Sequence, residues 1–186
     1  KKLLIRYEID KPLISYQNHS RLKKIEEILN LLREGKNLAL VSDAGTPAIS
    51  DPGSFLISKI KEELGDTVRI VPIPGPSALI SALSASGFNA SDFTFLGFLP
   101  HKKGRQTFFR QVSTSSRPVI FYESTHRITK ALTELARLLP DRPLVVCREL
   151  TKKFETVYRG TAAVILQELS QTSTKGEFVV IVAGPR

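Results

Sequence analysis

Apolar residues recur along the chain with two different periods, and the alternation between them predicts the order of its elements. Leu22, Ile25, Ile28, Leu29 and Leu32 fall three and four apart, one apolar face of a helix that opens near Ser20 and stops at Gly35. Residues 38–41 follow as a short apolar strand, which runs into the turn-forming residues 42–53. A helix over 54–64 and a buried strand over 68–72 come next. Pro74, Gly75 and Pro76 then break the chain ahead of a helix of small residues at 77–86. Strand, loop and helix in repetition imply a parallel sheet with helices on its faces.

Beyond Gly87 the rhythm changes. Residues 93–99 form a strand-like run containing a glycine, followed by the basic loop 100–105 and a helix through about 112. A buried strand at 119–122 precedes a helix over 125–139. The apolar runs 144–149 and 154–158 are too close for a helical crossover, so they pair antiparallel. A helix near 162–169 leads to 177–183, apolar enough for a central strand. The division between two α/β halves of similar size is expected near Gly97: 1–97 with a parallel sheet, 98–186 with a mixed one.

Composition narrows the classes. The 186 residues are 41 % hydrophobic and 24 % charged, which is globular rather than disordered. The longest apolar runs fall far short of the ~18–20 residues of a membrane helix, and no leader pattern opens the sequence; a cytoplasmic protein is expected. A single cysteine, Cys147, excludes an internal disulfide, and with only three histidines it argues against a zinc site. Lys and Arg number 27 against 18 Asp and Glu, a formal charge of +9 that suits a partner with a phosphate backbone. There is no methionine, and the start at Lys1-Lys2-Leu3 is that expected of a piece of a longer protein.

Four segments carry polar groups where strands end. The first is VSDAGTPAISDPG at 41–53, with two Asp, two Gly and two Pro in thirteen residues; its small side chains let a ligand approach the backbone, and Asp43 can accept from an amine or hydroxyl. The second, PIPGPSA at 72–78, leads into a helix N-terminus, where free N–H groups face a ligand. FYESTHR at 121–127 and RELTKK at 148–153 are the others. Their plainer readings are local caps, solvated first-turn residues and a surface ion pair. A carboxylate at the end of a buried strand is costly unless paired, so Glu123 should have a partner. The chain has no P-loop, no GxGxxG and no GxSxG, which disfavours nucleoside triphosphate, NAD and serine-nucleophile chemistry.

Together VSDAGTPAISDPG (41–53), PGPSA (74–78), GFLP (97–100), FYESTHR (121–127), RELTK (148–152) and GEFVVIV (176–182) resemble the ribosomal RNA small subunit methyltransferase I family, of the tetrapyrrole methylase superfamily, over essentially the whole chain. The resemblance implies the two-domain class III methyltransferase fold with its cofactor in the cleft between domains, a homodimer, and S-adenosylmethionine-dependent methylation of a cytidine 2′-hydroxyl in 16S ribosomal RNA. It also implies a first strand and Gly-containing loop ahead of Lys1 and a small extension after Arg186, so that this piece alone could be inactive. The match is loose over 16–20.

Carried over by position, Val41, Ser42, Asp43, Thr46, Ser77, Ala78, Glu123 and Leu150 would line the cofactor site, with Leu150 on the adenine side. A ribose hydroxyl needs a proton acceptor or a cation beside the developing alkoxide. Glu123, His126 and Glu149 are the candidate bases, and Arg148 and Lys152 the candidate cations. Lys102, Lys103, Arg105 and Arg110 form the expected RNA-binding cluster, and no metal is expected. A tetrapyrrole-type methylase of the same fold is the alternative enzyme, which that cluster disfavours, and a non-catalytic RNA-binding module is the alternative of a different class.

Overall fold

The computed structural model describes residues 2–17 and 22–185. Its contacts divide the chain into two units, Lys1–Pro74 and Gly75–Arg186.

The first unit holds helices α1 (Lys2–Arg6), α2 (Leu22–Arg33) and α3 (Ser54–Leu64) and a 3-10 turn at Gly65–Thr67. Ile25, Ile28 and Leu29 of α2 pack on Leu56 and Ile60 of α3, as the three-and-four spacing requires. The expected start of α2 at Ser20 lies outside the described residues. The expected strands 38–41 and 68–72, and with them the parallel sheet of this half, are corrected: no ladder forms there among the described residues. Side chains in the second segment do alternate, with Val68 and Ile70 on the helical core and Arg69 and Val71 outside. Alternation sets which face is buried, whereas a strand also needs a neighbour whose amides it can pair with. Leu38 and Val41 accordingly stand exposed.

The second unit is a five-stranded mixed sheet, ordered β1-β2-β5-β3-β4, from β1 (Thr94–Phe98), β2 (Val119–Ser124), β3 (Leu144–Arg148), β4 (Thr156–Gly160) and β5 (Glu177–Val182). Only β1 and β2 run parallel; β5 is antiparallel to both its neighbours, and β3 to β4, as the short spacing implied. The apolar run of β5 fits its central place, with Phe178–Val182 buried on both faces.

One face, carrying Phe121, Val146 and Val180, is covered by α5 (Arg105–Thr114), α6 (Ile128–Leu138) and α7 (Ala162–Gln171). The other, carrying Ile120, Val145, Cys147 and Ile181, is covered by α4 (Ala78–Ser86) through Leu79, Ala82 and Leu83. This packing groups α4 with the second unit, so the contacts divide the chain ahead of Gly75 where the sequence pattern placed a boundary near Gly97.

Candidate functional site

Because β1, β2 and β3 all point the same way and β4 and β5 oppose them, three strand C-termini and two N-termini share an edge of the sheet. Phe98 lies opposite Tyr122, Ser124 opposite Glu177, and Arg148 opposite Phe178. GFLP, FYESTHR, RELTK and the start of GEFVVIV are therefore neighbours in space. Thr125 ties two of them: its hydroxyl donates to the Gly176 carbonyl at 2.7 Å and accepts the Gly176 amide at 2.8 Å. The PGPSA segment joins them at the start of α4, where the Leu79 amide donates to the Tyr122 hydroxyl at 3.3 Å.

Glu123 sits inside this edge with its side chain enclosed. One oxygen, Oε1, accepts from the Ser124 amide at 2.7 Å and from Arg127 Nη2 at 2.9 Å; the other, Oε2, is buried with no hydrogen-bond partner among the described residues. The partner required of a buried carboxylate is thus Arg127. Arg127 also donates from Nε to Ser124 Oγ at 3.1 Å and from Nη1 to the Leu99 carbonyl at 3.0 Å. The plainer reading of 121–127, with Arg127 as a solvated first-turn residue, does not hold. The signal it passed over was the four-residue step from Glu123.

At the end of β3 the chain makes a tight turn in which Glu149 and Thr151 have φ of 51° and 65°. Glu149 exchanges bonds with Glu177: its amide donates to the Glu177 carbonyl, and Oε1 accepts the Glu177 amide, both at 2.9 Å. Lys152 bridges Glu149 and Glu177 at 3.0 and 2.8 Å. The Glu177 amide, and then Lys152, hold the Glu149 carboxyl below its ordinary range, while the hydrogen bonds Lys152 donates to Glu177 and Glu149 raise its own pKa. Arg148 Nε donates to the Lys175 carbonyl at 2.6 Å. Leu150 packs its side chain against the buried cluster on the α4 side of the sheet, which anchors its backbone in the turn. His126 is exposed on the loop after β2.

Of the basic cluster, Lys102, Lys103 and Arg110 are exposed. Arg105 is half-buried instead, its guanidinium 5.0 Å from the centre of the Phe109 ring at the start of α5. A shallow pocket of about 470 Å³ opens here, lined by Lys102, Arg105, Phe109 and Glu134.

Val41, Ser42, Asp43 and Thr46 belong to the first unit. Ser42 Oγ turns back on the carbonyls of Ala44 and Gly45, and Asp43 stands exposed beside them. Ala48 and Ser50 have φ of 69° and 59°, and Gly53 is buried with Leu40 Cδ2 2.8 Å from where a Cβ would stand. The end of the turn is therefore closely fitted at Gly53, while Ala44 and Gly45 stand exposed. Ser77 is half-buried at the cap of α4 and Ala78 is exposed.

The profile of the tetrapyrrole (corrin/porphyrin) methylases matches residues 9–165. A ribosomal RNA small subunit methyltransferase I of Xylella fastidiosa is 46 % identical over 99 % of the chain and 68 % of its own length. Its namesake in Thermotoga maritima is 41 % identical over 98 % of the chain and 81 % of its own length. Eight such relatives are matched over 62–81 % of their lengths, and six of them over less than two thirds. Among solved structures, the methyltransferase CobJ aligns with a TM-score of 0.65 at 20 % identity, over 97 % of this chain and 80 % of that one. A uroporphyrin-III C-methyltransferase from Thermus thermophilus, complexed with S-adenosylhomocysteine, aligns at 0.55 and 17 %, over 85 % and 72 %.

Proposed function

The chain belongs to the ribosomal RNA small subunit methyltransferase I family within the tetrapyrrole methylases, and from that premise we propose that its protein transfers a methyl group from S-adenosylmethionine to a cytidine 2′-hydroxyl of 16S ribosomal RNA. The observation that carries the reading is the gathering of GFLP, FYESTHR, RELTK and PGPSA at one edge of the second unit's sheet. Open sheets present ligands to the ends of their strands, and small residues there leave backbone groups within reach.

The residues fit the cofactor, each set on its own chemistry. Leu150 offers a backbone fixed by its side chain, suited to the edge of an adenine. Ser77 and Ala78 open a helix whose first amides meet little side chain. In the first unit Val41, Ser42, Asp43 and Thr46 present carbonyls, hydroxyls and an exposed carboxylate, the groups an amino-acid moiety and a sulfonium attract. When bound, S-adenosylmethionine supplies an electrophilic methyl group. The chain's work is to orient the ribose and remove its proton.

Of the three candidate bases, Glu123 is enclosed and committed to Arg127. Glu149 is held low and already accepts from the Glu177 amide and Lys152, which makes it a weak base. His126 is the exposed one of the three, and we assign proton acceptance to it. Arg148 and Lys152 add positive charge for the developing alkoxide, and Lys102, Lys103, Arg105 and Arg110 take RNA phosphates. No helix among the described residues is long and apolar enough to cross a membrane; a ribosomal RNA substrate supports a cytoplasmic location, and the homodimer rests on the family resemblance alone.

The test is isothermal titration with S-adenosylmethionine, followed by transfer of labelled methyl to small-subunit RNA or to a tetrapyrrole. The proposal requires cofactor binding and label in RNA. Label in the tetrapyrrole alone overturns it.

A further inference from the structure

We propose that Arg127 is a positioning residue for RNA: it fixes the point from which the basic loop 100–104 springs, and Glu123 is the buried counter-charge that holds it there. This rests on the reading of that loop as the phosphate-binding segment.

The guanidinium satisfies three acceptors on two parts of the fold, the end of β2 and the residue after β1. Nη2 meets Glu123 at the end of β2, Nε meets Ser124 Oγ, and Nη1 meets the carbonyl of Leu99, one residue past β1. Leu99 is held on its other side as well, since its amide donates to the Tyr122 carbonyl at 3.3 Å. Both polar groups of Leu99 are thereby tied to β2, and its side chain is buried in the helical core. Just upstream, the β1–β2 register shifts between Phe95 and Phe98, where Gly97 has φ of 67°. The ladder alone therefore does not set where the chain leaves the sheet; Arg127 sets it.

From Leu99 only residues 100–104 intervene before α5, which is anchored by Phe108, Phe109 and Val112. Fixing Leu99 and α5 fixes both ends of the loop that carries Lys102 and Lys103. That span stands beside the strand ends where methyl transfer is proposed, so phosphate grip and ribose placement share one frame. A buried ion pair is weak evidence for stability, because desolvation offsets its attraction. Glu123 Oε2 adds a buried oxygen with no hydrogen-bond partner among the described residues. The arrangement is explained by what its geometry holds. Arginine is required, since a planar fork serves three acceptors at fixed angles and an ammonium does not.

Arg127→Lys keeps the positive charge beside Glu123 while removing the fork, and the paired variant Glu123→Gln/Arg127→Gln removes both charges so that neither is left buried alone. Each is compared with the wild type by thermal unfolding, amide hydrogen exchange of residues 99–104, titration with S-adenosylmethionine, and binding of small-subunit RNA across salt. The inference requires faster exchange at 99–104, RNA affinity weaker by about tenfold, cofactor affinity within twofold for Arg127→Lys, which leaves Glu123 in place, and an effect that shrinks when Lys102 and Lys103 are already alanine. Wild-type RNA affinity in either folded variant overturns it, as does a loss that simply adds to that of the lysines. A wild-type chain that binds cofactor and no RNA overturns the underlying reading, and this inference with it. If Arg127→Lys does not fold, the paired variant decides.

Discussion

A side chain at Gly176 would collide with Glu149: a Cβ there would stand 2.6 Å from Glu149 Cγ, and the Gly176 backbone has φ of +124°. Glu149 passes through that space to accept the Glu177 amide. Gly176→Ala therefore strains the backbone and displaces the carboxylate at once, and a loss of about 2 kcal/mol or more is expected. Urea unfolding measures it. Adding Glu149→Ala should recover part of the loss, because the clash is then gone and the strain remains.

The Glu149 carboxyl titrates below its ordinary range, so folding favours its charged form. Its contribution is present above the unfolded carboxylate value and is lost as pH falls through the lower folded value. Lys152 is raised, so its contribution is complete below the unfolded lysine value and is lost only at strongly alkaline pH. The cluster is therefore intact across neutrality. Glu149→Gln should cost stability at pH 7 and converge on the wild type in acid, which unfolding free energies from pH 7 downward would show. A constant difference at every pH would contradict the pairing.

How far the sequence told this story varies by element. Helix α6 announced itself through Ile128, Leu132 and Leu135, and β5 through an unbroken apolar run, because each buries a whole face on its own pattern. The antiparallel β3–β4 pair followed from chain length alone. Residues 68–72 partly bury Val68 and Ile70 without pairing among the described residues, and 38–41 neither pair nor bury Leu38 and Val41, since an apolar run does not report the presence of a neighbouring strand. The need of Glu123 for a partner was legible from its place at the end of a buried run. That Arg127 would also reach Leu99 depends on a β1–β2 register that no local pattern encodes.

The basic cluster should separate into two kinds of residue. Lys102, Lys103 and Arg110 are exposed, so replacing all three by alanine should leave stability nearly unchanged and weaken RNA binding whatever its sequence. The slope of log affinity against log salt should fall by about 2, at ~0.7 per charge for single-stranded RNA. Arg105→Ala should in addition lower the melting temperature, because its guanidinium rests on Phe109. Equal melting for both variants would contradict the stacking.

Cys147 is buried between α4 and the sheet, and burial pushes its thiol up to about 11. Thiol reagents at pH 8 should label the folded chain only as fast as it opens, and label the urea-unfolded chain at once. Rapid labelling of the native protein would show that α4 does not cover this face.

The most direct measurement is nucleoside analysis of small-subunit RNA after reaction with S-adenosylmethionine labelled in its methyl group, using the chain at its family's full length. The account predicts label in 2′-O-methylcytidine, retained in a dinucleotide that resists alkaline hydrolysis. Replacing His126 by alanine should lower the rate ~100-fold or more with cofactor affinity little changed. Label on a base atom, or none in RNA from an enzyme that binds the cofactor, would contradict it.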